Sequence, residues 1–189
     1  MRITGGCARG RVLSSFKGRC IRPTSEKIRE VIFNVIGQDL RDHVVLDLFA
    51  GTGILSLEAL SRGAKTAVMV DVSPSAIKLI KKNIKLCGFE KKCVIIRHDL
   101  RGGVPVSHPA LREGVDLIFV DPPYGKGLER QILKELDRVN ILGYGGKVIV
   151  ESAKDVVLFS GLETLRKIFE RIYGDTKLTV FERKESEYE

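Results

Sequence analysis

No stretch of this 189-residue chain approaches the roughly 20 consecutive apolar residues that a membrane span needs. The opening "MRITGGCARGR" has no apolar h-region, and its early glycines argue against an amphipathic transit helix, so no targeting leader is expected. A cytoplasmic protein with no membrane partner follows as the default. The cysteines Cys7, Cys20, Cys87 and Cys93 form no C-x-x-C pair and have only three histidines for company, which is not structural-zinc spacing. They read as reduced thiols, and no metal is expected. Internal repeats and low-complexity tracts are missing as well, and an apolar content of 43% is ample for one core.

Acidic residues are absent from one place in particular. Residues 1–22 contain Arg2, Arg9, Arg11, Lys17, Arg19 and Arg22 and no Asp or Glu; by residue 41 nine basic residues face three acidic ones, six of the eight net positive charges. Such a run is either a solvated tail or the electrostatic footprint of a polyanionic partner. "MRITGG" and "GRVLSSF" are short β-prone runs around a Gly-containing turn, which predicts a basic β-hairpin arm over residues 1–22. The remainder, 23–189, is expected to be the main domain, entered by a helix over 24–37. There Ile28, Val31, Ile32, Val35 and Ile36 recur at helical spacing, Thr24-Ser25 caps the start and Gly37 ends it. Glu26, Lys27, Arg29 and Glu30 are placed on the opposite, solvent-facing side.

From residue 43 the pattern alternates between strand and helix. "HVVLDLFA" (43–50), "KTAVMVD" (65–71), "CVIIRHD" (93–99), "VDLIFVD" (115–121) and "GKVIVES" (146–152) read as strands. An amphipathic helix over 53–63, a helix over 73–88 and a helix around 127–138 separate them. Continuous apolar strands at this spacing signify a doubly wound, mostly parallel α/β sheet covered on both faces. The tail, 165–184, is a hairpin around Tyr173-Gly174-Asp175.

In such a sheet the ligand sits beyond the C-terminal strand ends. The first strand ends in "DLFAGTG" (47–53), where Gly51 and Gly53 allow a sharp turn and close approach of a ligand to backbone, flanked by Asp47 and Phe49. Asp71 ends the second strand, about 20 residues on, where an acid accepts hydrogen bonds from a ribose diol. Asp99 ends the third, placed to meet an adenine amino group. Taken alone, a tight turn, a helix cap and a turn residue explain the three almost as well. Ser56 occupies the position of the third glycine in a dinucleotide fingerprint, and a sulfonium nucleoside without a pyrophosphate, S-adenosylmethionine, fits better.

The fourth strand runs into "DPPY", Asp121, Pro122, Pro123 and Tyr124. Two prolines offer no N–H, so the segment presents carbonyl acceptors, the Asp121 carboxylate and an aromatic face. These suit an exocyclic NH₂ on a planar base, whose two N–H bonds need acceptors and whose ring needs a stacking partner.

"DLFAGTG" and "DPPY" at this spacing resemble class I S-adenosylmethionine-dependent methyltransferases acting on exocyclic amines. "MRITGG…RGRVL", "RPTSEKIREVIFN", "DLFAGTGILSLEALSRGA", "DPPYGKGL", "GGKVIVE" and "YGDTKL" resemble one branch, the bacterial RsmD-type 16S ribosomal RNA guanine-N2 methyltransferases, over nearly the whole chain. The resemblance implies a seven-stranded sheet in the order 3-2-1-4-5-7-6 with an antiparallel last strand. It also implies a monomer that binds ribosomal RNA or the small ribosomal subunit, with S-adenosylhomocysteine as product and no metal. Arg2, Arg9, Arg11, Arg19 and Arg22 become candidate RNA contacts. Alternatives are an adenine-N6 methyltransferase of DNA or RNA and, from another class, a non-catalytic RNA-binding module with a residual nucleoside pocket. An NAD oxidoreductase has no use for the D-P-P-Y segment.

Overall fold

The computed structural model describes residues 1–16, 25–123, 125–158 and 161–185. Two compact units follow one another along the chain, Met1–His98 and Asp99–Glu189. The first holds helix α1 (Glu26–Ile36), strand β1 (Val44–Leu48), α2 (Ile54–Ser61), β2 (Thr66–Asp71), α3 (Pro74–Cys87) and β3 (Cys93–Arg97). The second holds β4 (Val115–Val120), α4 (Leu128–Arg138), β5 (Leu142–Ala153), β6 (Leu165–Tyr173) and β7 (Thr176–Arg183). The strands form one seven-stranded sheet in the order β3-β2-β1-β4-β5-β7-β6, the doubly wound arrangement expected. No described helix is long and apolar enough to cross a membrane.

In the first unit β1, β2 and β3 are parallel, with Val44 opposite Thr66 and Ala67 opposite Cys93. Val45, Leu46, Leu48, Ala67, Val68, Met69 and Val70 are almost wholly inaccessible, as apolar runs covered on both faces should be. Helices α1 and α3 begin where the sequence supplies side-chain caps. Ser25 accepts from the Ile28 amide at the start of α1, and Ser73 precedes α3, whose Pro74 occupies the first turn.

In the second unit β4 and β5 are parallel, while β7 is antiparallel to both β5 and β6. β5 begins at Leu142 rather than at Gly146, because the ladder continues back through the glycines. The register with β4 slips between Val115 and Leu117, and Gly145 takes φ 70°, the bulge that a Gly-rich strand start permits.

Two sequence expectations are corrected in the first unit. α2 is not amphipathic: all eight of its residues are buried, including Ser56 and Glu58. Arg29 is not on a solvent face either, being 1% exposed. Both follow from the arm, whose described residues 1–16 lie folded across α2 and bury Ile3, Ala8 and Leu13. Arg2 and Val12 form an antiparallel bridge. The Cys7 and Ala8 amides donate to the Ser61 carbonyl and hydroxyl at 2.7 and 2.8 Å. Gly6, at φ +74°, sits so close to α2 that a Cβ there would lie 1.8 Å from the Ser61 carbonyl oxygen, so no other residue fits.

Glu58 and Ser61 of α2 meet the arm. The Glu58 carboxylate accepts from the Thr4 amide at 2.8 Å, the Thr4 hydroxyl at 2.5 Å and the Gly5 amide at 3.0 Å. It also pairs with Arg62, and lies 3.8 Å from the Arg29 guanidinium. Arg62 stacks over the Phe33 ring at 4.2 Å, and Arg29 donates to the Arg2 carbonyl at 2.8 Å. Burial pushes the Arg29 pKa down, and the Glu58 carboxylate opposes that shift. One carboxylate thereby ties the arm, α1 and α2 together.

Candidate active site

The site-bearing turn of the first unit follows β1. Phe49, Gly51 and Gly53 all have positive φ, at 67°, 57° and 76°. For glycine this is free, but for Phe49 it carries about 1–3 kcal/mol of backbone strain, a mark of functional turns that residue identity alone does not reveal. A Cβ added at Gly51 would meet nothing nearer than the Phe49 carbonyl oxygen at 3.8 Å, so open space lies beside this backbone. Gly53 is the N-cap of α2, which turns the positive helix end toward the same turn.

Asp71 is joined to that turn directly. One carboxylate oxygen accepts from the Gly51 amide at 2.9 Å and the other from the Ser73 amide at 2.8 Å. Each oxygen keeps a further lone pair for a hydroxyl donor. The N-cap of α3 is Ser73 rather than Asp71, and the Gly51 and Ser73 amides fix the Asp71 carboxylate in place.

Asp47 lies deeper. It is 2% exposed and accepts from the Ser56 hydroxyl at 2.8 Å. Burial raises its pKa to about 7, against the lowering pull of the Ser56 hydrogen bonds and with a small raising contribution from Asp71. Ser56, where a dinucleotide fingerprint would have glycine, is thus a hydrogen-bond donor to Asp47. Asn83 on α3 also belongs to this region: its amide donates to the Thr52 carbonyl at 2.9 Å. Sequence reasoning missed it, since a lone Asn in an amphipathic helix carries no signal.

The raised Asp47 pKa makes a stability prediction. A carboxyl ionising near 3.9 in the unfolded chain and near 7 in the folded one is neutral in both states at low pH. As pH rises between those values the unfolded state loses its proton first, so the folded state loses up to roughly 4 kcal/mol. Asp47→Asn should recover part of this, about 1–2 kcal/mol at pH ~8 and nothing at pH ~3. Urea unfolding of both proteins at the two pH values measures it; equal stability at pH ~8 contradicts the burial cost.

In the second unit β4 runs into Asp121, which is half-buried, then into a buried Pro122 and an exposed Pro123. Tyr124 lies outside the described residues. Asp99 caps the short turn Leu100–Gly102, accepts from the Arg101 amide at 3.0 Å and pairs with the exposed Arg101 guanidinium. That pair closes the turn with little net energy, being open to solvent. Of the basic candidates, Arg2, Arg9 and Arg11 are exposed on the arm, whereas Arg19 and Arg22 lie outside the described residues. Among the described residues no three His, Cys, Asp or Glu side chains group as metal ligands.

Residues 1–182 match the model of a protein family described as Conserved hypothetical protein 95. The chain belongs to this family, the RsmD-type methyltransferases. It is 34% identical to the YlbH protein of Bacillus subtilis (strain 168), over 97% of this chain and 100% of that one. The ribosomal RNA small subunit methyltransferase D of Haemophilus influenzae is 32% identical over 85% of this chain and 82% of its own. The protein of the same name from Escherichia coli (strain K12) is 28% identical over 97% and 90%. Among solved structures, an Escherichia coli methyltransferase superposes with a TM-score of 0.81 at 27% identity, covering 97% of this chain and 98% of its own. An RNA methyltransferase from Salinibacter ruber, solved with S-adenosyl-L-homocysteine, shares the fold at a TM-score of 0.64 and 15% identity, over 87% of this chain and 95% of its own.

Proposed function

We propose that the protein transfers a methyl group from S-adenosylmethionine to the exocyclic N2 amine of a guanine in small-subunit (16S) ribosomal RNA. The observation that carries the cofactor half is the Gly51–Asp71 hydrogen bond, which makes the open glycine turn and the ribose acid one rigid feature. Small-subunit ribosomal RNA as substrate is supported by the names of the relatives.

The residues present fit this cofactor. Asp71 has lone pairs left for two ribose hydroxyls, and the clear space beside Gly51 admits the methionine part. Asp47, Phe49 and Gly53 flank that part, and Asp99 is proposed for the adenine side. The cofactor supplies an electrophilic methyl on a sulfonium. Asp121 then accepts one N–H of the guanine amine and the Pro122 carbonyl the other, which orients the nitrogen lone pair. Tyr124 stacks on the base. The amine is a poor nucleophile because its lone pair is delocalised into the ring. As the new N–C bond forms the sulfonium S–C bond breaks, leaving S-adenosylhomocysteine, and the nitrogen sheds one proton through Asp121 to solvent. Orientation and the negative charge of Asp121, which stabilises the positive charge developing on nitrogen, are therefore the main catalytic contributions.

Asp71→Ala should weaken S-adenosylmethionine binding by about 10- to 100-fold, through loss of charge-assisted hydrogen bonds and of the partner that holds Gly51. Calorimetry with the cofactor checks this, and an unchanged affinity rejects the ribose assignment. The exposed Arg9 and Arg11 of the arm are proposed to hold RNA phosphates, together with Arg2, Arg19 and Arg22. Arg9→Ala combined with Arg11→Ala should flatten the salt dependence of RNA binding by about one unit of slope per residue, leaving the modified nucleotide unchanged. The function itself is tested by incubating small ribosomal subunits with the protein and labelled cofactor and mapping the methylated nucleotide by mass. An N6-methyladenine product selects the adenine-N6 reading, and no transfer rejects the enzyme.

A further inference from the structure

Positive charge is concentrated at a second place besides the arm. Between Val72 and His98 the chain has seven Lys or Arg residues and one acid, Glu90. Four of the basic residues, Lys78, Lys81, Lys82 and Lys85, lie on α3, which contains no acid. Their i, i+3, i+4, i+7 spacing lines them along one face of the helix, and all four are exposed. Ala76, Ile80, Asn83 and Ile84 form the buried side.

Among the described residues none of these lysines takes part in an ion pair. Lys78 repels Lys81 and Lys82, and Lys85 repels the same two, each pair destabilising the helix by about 0.2–0.5 kcal/mol. A solvated helix avoids this by interleaving Glu, and α3 does not. An interfacial membrane helix would expose an apolar face, yet Ile80 and Ile84 are buried.

The stripe is not isolated from the arm. The Ser14 amide donates to the Asn83 carbonyl oxygen at 2.9 Å, and the Asn83 amide donates back to the Ser14 carbonyl at 3.0 Å. Farther along α3, Arg11 acts on the Cys87 thiol, opposing the burial that raises its pKa. The paired Ser14–Asn83 hydrogen bonds therefore hold the end of the arm against α3.

We propose that the Lys78, Lys81, Lys82 and Lys85 stripe of α3 is a second phosphate-binding surface, which grips the backbone of the RNA substrate alongside Arg9 and Arg11 of the arm. At 1.5 Å per residue the stripe runs about 10 Å, enough to follow a phosphate backbone rather than one phosphate. The inference rests on the reading that the substrate is ribosomal RNA.

The test compares the full-length protein with two variants of equal net charge. One changes the four stripe lysines to Ala; the other changes Arg112, Lys154, Lys167 and Arg171, exposed residues of the second unit. Binding to a 16S ribosomal RNA fragment is followed across a salt series, with methyl transfer to small subunits and S-adenosylhomocysteine affinity measured in parallel. The stripe variant should lose about 3 units of salt slope, since each phosphate contact contributes roughly 0.7–0.9. Its KM for RNA should rise about 10- to 100-fold at ~0.15 M salt, with kcat and S-adenosylhomocysteine affinity unchanged. An unaltered slope, or an equal loss in both variants, overturns the proposal. So does a stripe whose removal abolishes binding to phosphatidylglycerol vesicles but not to RNA. If the unmodified protein transfers no methyl group to the subunit, the enzymatic reading fails by itself, and the RNA salt slopes still decide the stripe.

Discussion

Asp121→Ala is expected to lower kcat for methyl transfer by about 10²–10³, or 2–4 kcal/mol, while leaving S-adenosylmethionine affinity within about twofold. The reason lies in when the hydrogen bond matters. In the ground state the guanine amine is neutral and water satisfies it about as well as a carboxylate does. In the transition state the nitrogen gains positive charge, and a fixed anion within hydrogen-bond reach is worth several times more. Asp121 follows β4 and precedes two residues that cannot continue a helix, so its backbone is held extended without contacts to a ligand. Asp121→Asn keeps an acceptor oxygen but loses the charge, and should fall between the two. Single-turnover kinetics with equilibrium cofactor titration separates the terms, and a full-rate Asp121→Ala protein rejects the mechanism.

The sheet was legible because β1, β2, β3 and β4 are continuous apolar runs between capped helices, and a strand buried on both faces has no other way to appear in sequence. The antiparallel tail was legible through its Tyr173-Gly174-Asp175 turn. Other features depended on what covers what. Ser56, Glu58, Ser61 and Arg62 look like the wet side of an amphipathic helix, and Arg29 like the wet side of another. Glu58, Ser61 and Arg62 are bonded to residues 4–8 of the arm, more than 50 positions away, Arg29 to Arg2 and Ser56 to Asp47 of β1, contacts that no local period encodes. The same blindness applied to the site. The glycines and Asp71 were readable as types at a spacing, but the left-handed Phe49 and the Asn83 amide are set by the tertiary environment. The charge on α3 was in plain view as residues, yet its alignment into one exposed stripe, opposite the buried Asn83, required the helix to be oriented.

Glu58→Ala should produce a large stability loss, about 3–5 kcal/mol, because it removes the buried carboxylate paired with Arg62 and one of the two beside the buried Arg29. Replacing one anion also strips the Thr4 and Gly5 amides of their acceptor, each an additional desolvation cost of about 1–3 kcal/mol when the group stays buried. The arm can evade that second cost by lifting off α2, and the two responses have different signatures. If the arm lifts, the Thr4 and Gly5 amides exchange with solvent far faster than those of β1 and β2, and protease cuts within residues 1–16 while the sheet stays folded. If it stays, exchange rises uniformly as the global stability falls. The arm is expected to lift, since water hydrates the half-buried Thr4 and Gly5 more fully away from α2 than against it. RNA binding should then weaken as the arm arginines lose their fixed position, with cofactor affinity largely kept, because the Gly51–Asp71 hydrogen bond does not pass through Glu58. Thr4→Val, which removes only the hydroxyl bonded to Glu58 at 2.5 Å, should move the same observables in the same direction by about 1–2 kcal/mol. A Glu58→Ala protein that unfolds in urea within about 1 kcal/mol of the unmodified chain, with amide exchange in the arm unchanged, would show that the arm is held by its apolar contacts alone.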